Sequence, residues 1–361
     1  MSIGKFMQTA ANREYSKEWQ APGSFPWIFQ RPKEPIKGRP YSVRENYIRC
    51  VKGEQPYWMP AYMTESNIIW PDAMEEHPVP EKDGYDWWGV YWTMVEDVGG
   101  MITKPGTRTI SEFSKWKEEL EWPDLSLVDF KSDGEKIQKM LDPDRVHIYE
   151  CVEGIFERLH ELIPFDESLM AFYEESELLE EFFQKMADYK IESTGKIFQY
   201  YGRVDGVLYH DDWGTQRAGF FSNEMFRNQI MPATSRFLKF VKDQGKFIEL
   251  HSCGKNVQYV PEMIEMGIDM WTPQAEINDP DELYEKYGDK MTFAFFVNIP
   301  PQADEKEIRK IVRDFVDHYG AKGRCMPCFM TDMSNPAQSE AAHDELYHYS
   351  LEYYNKLYHR D

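Results

Sequence analysis

Positive charge is scarce in this chain. Its 361 residues carry 63 acidic and 41 basic side chains, a formal net charge of −22. So acidic a surface argues against non-specific binding of long polyphosphate backbones, so no nucleic-acid partner is expected. Long apolar runs are missing as well. No stretch of 18 apolar residues occurs, so no transmembrane helix and no membrane partner are expected. The opening "MSIGKFMQTAANREYSKEW" lacks the apolar centre of a signal peptide, and a cytoplasmic protein is expected. Cysteine is sparse and odd in number: Cys50, Cys151, Cys253, Cys325 and Cys328. Such a set does not make a disulfide scaffold. No G-x-G-x-x-G turn follows any strand-like run, which weighs against a doubly wound dinucleotide-binding sheet.

What is present is a regular alternation. The first 55 or so residues are rich in Pro, Arg and Lys and suggest an irregular N-terminal extension that a short helix, "SVRENYIRCVKG", closes. "PYWMPAYM" reads as a first strand. From "RVHIYECV" onward, strand-like runs alternate with helical spacing: "VDGVLYHDD", "KFIELHSC", "IDMWTP", "MTFAFFVN" and "GRCMPCF" are strands, separated by helices. Ser222 is a plausible N-cap and Gly245 a plausible end for one of them. Five or more strand–helix units in a row predict a mostly parallel sheet. Count and length fit an α/β fold, a (β/α)8 TIM barrel over residues 56–361 with an N-terminal extension over 1–55.

In such a barrel the chemistry sits at the C-terminal ends of the strands. Polar groups fall there repeatedly: Asp211 and Asp212, His251 and Cys253, Gln274 and Glu276, Asn298, and Cys328. Side chains alternate across a strand, so His251 and Cys253 share a face with Phe247 and Glu249, while Ile248, Leu250 and Ser252 face the other way. Imidazole and thiolate are ligands that zinc prefers. A third ligand must come from elsewhere. Cys325 and Cys328 lie an odd number of residues apart, so one of them faces the interior. Cys328, nearer the strand's C-terminal end, is expected to be the ligand, with Cys325 as the alternative. A cysteine is also often just a small buried apolar residue. A structural zinc closed by His251, Cys253, Cys325 and Cys328 would require a bulge. Glu249, one layer below His251, is expected either to orient its ring or to face a solvated gap or pair with a lysine.

"DDWGTQ…FSNEMFRNQIMPATSRFLKFVKDQGKFIELHSCG" resembles the uroporphyrinogen decarboxylase superfamily, and more closely its zinc-dependent, corrinoid-linked methyltransferase branch. "DWWGVYW", "EDVGGMITKPG" and "VEGIFERLHEL" are similar to members that demethylate methoxylated aromatics. The resemblance runs from about residue 40 onward. It implies a TIM barrel, zinc held by His251, Cys253 and a later cysteine, and transfer of a methyl group from an aryl methyl ether to the reduced cobalt of a corrinoid protein. The chain has no D-x-H-x-x-G cobalamin motif, so the corrinoid is expected on a separate partner protein. The decarboxylase itself fits poorly, because "PYWMPAYMTESN" offers no arginine for a polycarboxylate substrate.

From these readings Asp212, Asp211 and Glu276 are candidates for orienting substrate or moving protons, against a bland role in capping loops. Trp88 and Trp92, with Trp87, are candidates for walling an aromatic pocket, as are Tyr209, Gln274 and Asn298 for touching substrate. Other functions stay open at this point: methyl transfer to a thiol of coenzyme M type, a decarboxylase-like lyase, a glycoside hydrolase using Asp212 and Glu276, or a non-catalytic ligand-binding protein.

Overall fold

The computed structural model describes residues 41–76, 83–95, 100–332 and 334–360; most of the expected N-terminal extension lies outside them. Ten strands occur among the described residues: β1 (Ser66–Ile69), β2 (Gly84–Tyr85), β3 (Tyr91–Val95), β4 (Gly100–Thr103), β5 (Val146–Cys151), β6 (Gly206–His210), β7 (Phe247–His251), β8 (Met270–Trp271), β9 (Thr292–Asn298) and β10 (Cys325–Met330). Seven of them form one sheet in the order β1-β5-β6-β7-β8-β9-β10, every neighbouring pair parallel. Strictly sequential parallel order is the topology of a barrel rather than of a doubly wound sheet, in which the order reverses.

The remaining gap is bridged by the segment read above as a first strand. It forms no ladder. Pro56 and Pro60 have no N–H to give, and the polar groups between them are met by side chains. The Asn46 amide accepts from the Tyr57 and Trp58 backbones and donates to the Trp58 carbonyl, and the Met59 N–H donates to Ser350 Oγ. Beyond Pro60 the chain runs on into β1, one edge of the sheet, and the Tyr62 N–H donates to the Pro327 carbonyl on β10, the other edge, at 3.0 Å. That bond ties the two edges together, and the fold is an α/β barrel of the (β/α)8 type.

Alternation along each strand separates two cores. Outward residues such as Val207, Tyr209, Ile248 and Leu250 pack under the surrounding helices. Inward residues Val146, Ile148, Leu208, Phe247, Met270, Ala294, Met326 and Cys328 fill the lower barrel. The helix Val43–Lys52, capped by Ser42, plugs the N-terminal end. Its Tyr47, Cys50 and Val51 belong to the same inner cluster, and Thr292 Oγ1 donates to the carbonyls of Cys50 and Val51. Apart from Thr292 and Glu249 this filling is largely apolar, and the polar side chains of the inward face gather toward the opposite mouth.

The helix between β6 and β7 starts at Ser222, which accepts the Met225 N–H as predicted for an N-cap. It carries a π-type turn over Phe226–Ile230 before continuing as Met231–Asp243. Pro232, which has no N–H to donate, lies just beyond that turn. Outside the barrel, β2, β3 and β4 make a small antiparallel sheet. No helix among the described residues is long and apolar enough to cross a membrane.

Candidate functional site

The parallel pairing of β6 and β7 brings His210 directly opposite His251. Both strands end there, and both continue as a short polar run: His210-Asp211-Asp212 and His251-Ser252-Cys253. The two imidazoles stack with ring centroids 4.2 Å apart and planes 16° from parallel. Ligand atoms of His210, Asp212 and His251 all lie within 4.8 Å of one another, a group able to hold a metal ion. Cys253 Sγ is 3.4 Å from His251 Nε2, and the Cys253 N–H donates to Asp212 Oδ1.

The residues between these groups point the other way and anchor the two chain ends. Asp211 is fully buried; it accepts the Glu157 N–H at 3.0 Å and the Tyr209 hydroxyl at 2.9 Å. It thereby caps the helix Ile155–Leu162. Gly154 has no freedom to be anything larger, because a Cβ there would sit 2.1 Å from the Asp211 carboxyl carbon. Ser252 Oγ accepts the Trp213 N–H at 3.1 Å and the Asn256 amide at 2.9 Å. Gly254 follows at φ +95°, with a would-be Cβ 2.2 Å from the Gly214 carbonyl carbon. Only glycine serves where two loops cross so closely.

His210 Nδ1 is 2.8 Å from Glu157 Oε2. Burial works against its charge, but the Glu157 carboxylate outweighs that, with Asp212 and Glu153 adding to it, and holds His210 well above the usual imidazole range. Burial, with the neighbouring His210 charge, pushes His251 down to about 3. Burial and then the Asp212 carboxylate push the Cys253 thiol up to about 12. One layer below, Glu249 is fully buried; the Tyr62 hydroxyl donates to it, as does Thr272 Oγ1 at 3.2 Å, and burial raises it to about 7. Glu249 shares the inward face with His251 but bonds elsewhere.

The other residues singled out from the sequence fall in different places. Cys328 lies inside the barrel in the apolar layer with Leu208, Phe247 and Tyr47, not in the group at the mouth. Cys325 faces the helices. Trp88 and Trp92 are buried in the outer sheet region, where their indole N–H groups donate to Glu76 and Asp86, and Trp87 is buried beside them. Tyr209 points outward under the helices, its hydroxyl accepting the Ile155 N–H. Gln274 Oε1 accepts the Gly254 N–H at 2.8 Å and so steadies the loop carrying Cys253. Glu276 is exposed on the loop after β8, and Asn298 is exposed at the end of β9. His210 and Glu157 escaped the sequence reading. His210 stands two residues before Asp212 at a strand end, and that period-2 signal could have found it.

An α/β barrel with imidazole, thiol and carboxylate groups gathered at the C-terminal mouth of its strands is a fold of the enzyme type. A model of the uroporphyrinogen decarboxylase (URO-D) family matches residues 88–324, and the chain belongs to that family. Among solved structures it is similar to a methyltransferase from Methanosarcina mazei, with TM-score 0.62 and 14% identity over 85% of this chain and 98% of that one. At that identity the likeness is one of fold. A likeness to an endo-beta-1,4-xylanase from Gloeophyllum trabeum, with TM-score 0.34 and 12% identity over 62% of this chain and 82% of that one, carries no argument. No curated protein matches the sequence.

Proposed function

We propose that this protein is a zinc-dependent methyltransferase that moves a methyl group from a methoxylated aromatic compound to the reduced cobalt of a separate corrinoid protein. The observation that carries the reading is the group at the mouth of a URO-D barrel: His210, Asp212 and His251 with ligand atoms within 4.8 Å of one another, and Cys253 Sγ 3.4 Å from His251 Nε2, at the level where such barrels act. These are ligand types for zinc, and a uroporphyrinogen-type decarboxylation gives them no task. When bound, the metal supplies Lewis acidity toward the ether oxygen, the leaving group of the reaction.

The rest is the work of the chain's own residues. Phe296 and Met330 are exposed at the ends of β9 and β10. They share the inward face with Ala294 and Cys328, two residues before them. They offer apolar surface for a flat ring, at roughly 25 cal/mol per Å² covered. This replaces the tryptophans, which are occupied in the outer sheet. Asn298, exposed beside them, is available to a polar substituent of the ring. As the C–O bond breaks, the phenolate oxygen needs a proton or a cation. The ligand group at the mouth would hold the cation that meets this need. Positioning of the ether against an incoming nucleophile is worth several kcal/mol, of the order of 7–11 in well-oriented systems.

The test is direct. The full chain, a reduced corrinoid protein and a panel of methoxylated benzoates and phenols are combined, and the demethylated phenol is measured. Transfer that requires both proteins supports the reading. No transfer from any aryl ether, or turnover by the chain alone, removes it. Transfer to a thiol instead would place the chain on the accepting side of the same chemistry.

A further inference from the structure

We infer that the metal of this site is held by a matched two-strand claw, His210-x-Asp212 on β6 and His251-x-Cys253 on β7, and that no third cysteine takes part. The inference rests on the metal-dependent reading above, but concerns only which side chains bind.

Four observations converge. First, the register sets His210 opposite His251, so the residues two further on, Asp212 and Cys253, are also neighbours. A hydrogen bond from the Cys253 N–H to Asp212 Oδ1 joins them. Second, the spacing fits. Tetrahedral zinc with bonds of about 2.05 Å to nitrogen and 2.3 Å to sulfur sets those ligands about 3.5 Å apart. Cys253 Sγ and His251 Nε2 are 3.4 Å apart, and the His210, Asp212 and His251 ligand atoms lie within 4.8 Å of one another; Cys253 Sγ stands outside that group of three and joins it by turning about its χ1 bond. Third, each half of the claw is fixed from behind. Asp211 is locked under the helix Ile155–Leu162, and Ser252 is locked by Trp213 and Asn256. Glu157 takes His210 Nδ1, which leaves Nε2 for the mouth, as a carboxylate behind a ligating histidine fixes its ring and tautomer.

Fourth, Cys328 is out of reach. It belongs to the inner apolar cluster with Leu208 and Phe247, and it is not in the ligand group at the mouth. On their own strands Leu208 lies two residues below His210, and Phe247 lies four below His251. One inward layer spans roughly 6.6 Å of strand, against a zinc–sulfur bond of about 2.3 Å. Two nitrogens, one oxygen and one sulfur make a mixed set with a single thiolate, unlike the two-cysteine set that the sequence suggested.

Metal content and cobalt spectroscopy test this without relying on activity. The full chain is loaded with zinc or with Co(II), and affinity is measured by chelator competition. His210→Ala and Asp212→Asn should each weaken zinc at least tenfold, and Glu157→Gln by about tenfold. Cys253→Ser should abolish the thiolate-to-cobalt charge-transfer band. Cys328→Ala and Cys325→Ala should keep stoichiometry, affinity and band. Thermal melts of each variant exclude a folding defect. Loss of the band or of zinc in Cys328→Ala overturns the claw, as does wild-type affinity in both His210→Ala and Asp212→Asn, or a wild-type chain that takes up neither metal. If the claw pattern holds and no aryl ether is demethylated, the functional reading fails alone. If aryl ethers are demethylated and Cys328 proves a ligand, the claw fails alone.

Discussion

Two regions of this chain gather ionisable side chains, one buried and one half-buried at the barrel mouth, and they are balanced in opposite ways. Around Arg158 the charges are met within the protein. Its guanidinium reaches Glu76 at 2.7 Å, Glu161 at 2.9 Å and Asp86 at 3.0 Å. The Trp88 and Trp92 indoles supply further hydrogen bonds to Glu76 and Asp86, and backbone N–H groups of Trp88 and Val90 complete Asp86. Burial raises Asp86 to about 6 and pushes Glu161 up as well, so bare anions do not accumulate. At the barrel mouth the ligand atoms of His210, Asp212 and His251 lie within 4.8 Å of one another, with Cys253 Sγ beside His251 and Glu157 behind His210. The first network is built to be closed. The second is built to receive something, and a half-buried polar set that is not closed internally is where function is sought.

The largest effect should follow from opening the closed network. Arg158→Met leaves three buried carboxylates without their cation. Breaking a buried pair by removing one partner costs about 3–5 kcal/mol. Denaturant unfolding should show a loss of that size, with the small outer sheet released first. A variant as stable as the parent would mean that the carboxylates are satisfied without Arg158.

Next in size is the open network. His251→Ala should reduce methyl transfer to background and strip the metal, while the melting temperature changes by only a few degrees, because the side chain stands at the mouth rather than in the packed layer. Wild-type demethylation by this variant would make the metal structural or absent.

A third substitution joins fold to site. Gly254 at φ +95° carries no room for a Cβ, so Gly254→Ala should cost about 2 kcal/mol or more in backbone strain and clash. It should also shift Cys253, read as a weakened cobalt–thiolate band. A loss of stability with an unchanged band would separate the loop crossing from the site.

Much of this was legible beforehand, and the gaps have physical causes. The strand–helix alternation after residue 145 showed in the hydrophobic periods, and His251 and Cys253 showed in period 2 on one strand. The segment at residues 56–63 misled because its apolar character belongs to an eighth barrel position whose prolines cannot form a ladder. The Trp88–Trp92 stretch looked like a pocket wall because indoles serve packing and binding equally well, and only the partners Glu76, Asp86 and Arg158 distinguish the two. Glu157 was hidden because its role arises from a contact with His210 across 53 residues of sequence. No spacing rule spans that distance.

The smallest expected effect is at Cys328, and it sharpens the comparison most. The residue is read from sequence as a ligand, yet the barrel places it among apolar side chains beneath the mouth, 1% exposed. Burial in such a layer suits a thiol acting as a small hydrophobe. Cys328→Ala removes roughly one methylene's worth of packing, so a cost of about 1 kcal/mol is expected. Cys328→Ser should cost more, about 1–3 kcal/mol, if the new hydroxyl finds no acceptor in that layer. Neither change alters the donor set at the mouth, so zinc content and aryl ether demethylation should stay at the parent level in both. A stability loss with metal retained assigns Cys328 to packing. Metal loss with stability retained would draw the open network down into the barrel, and the division between a filled interior and a receptive mouth would no longer hold.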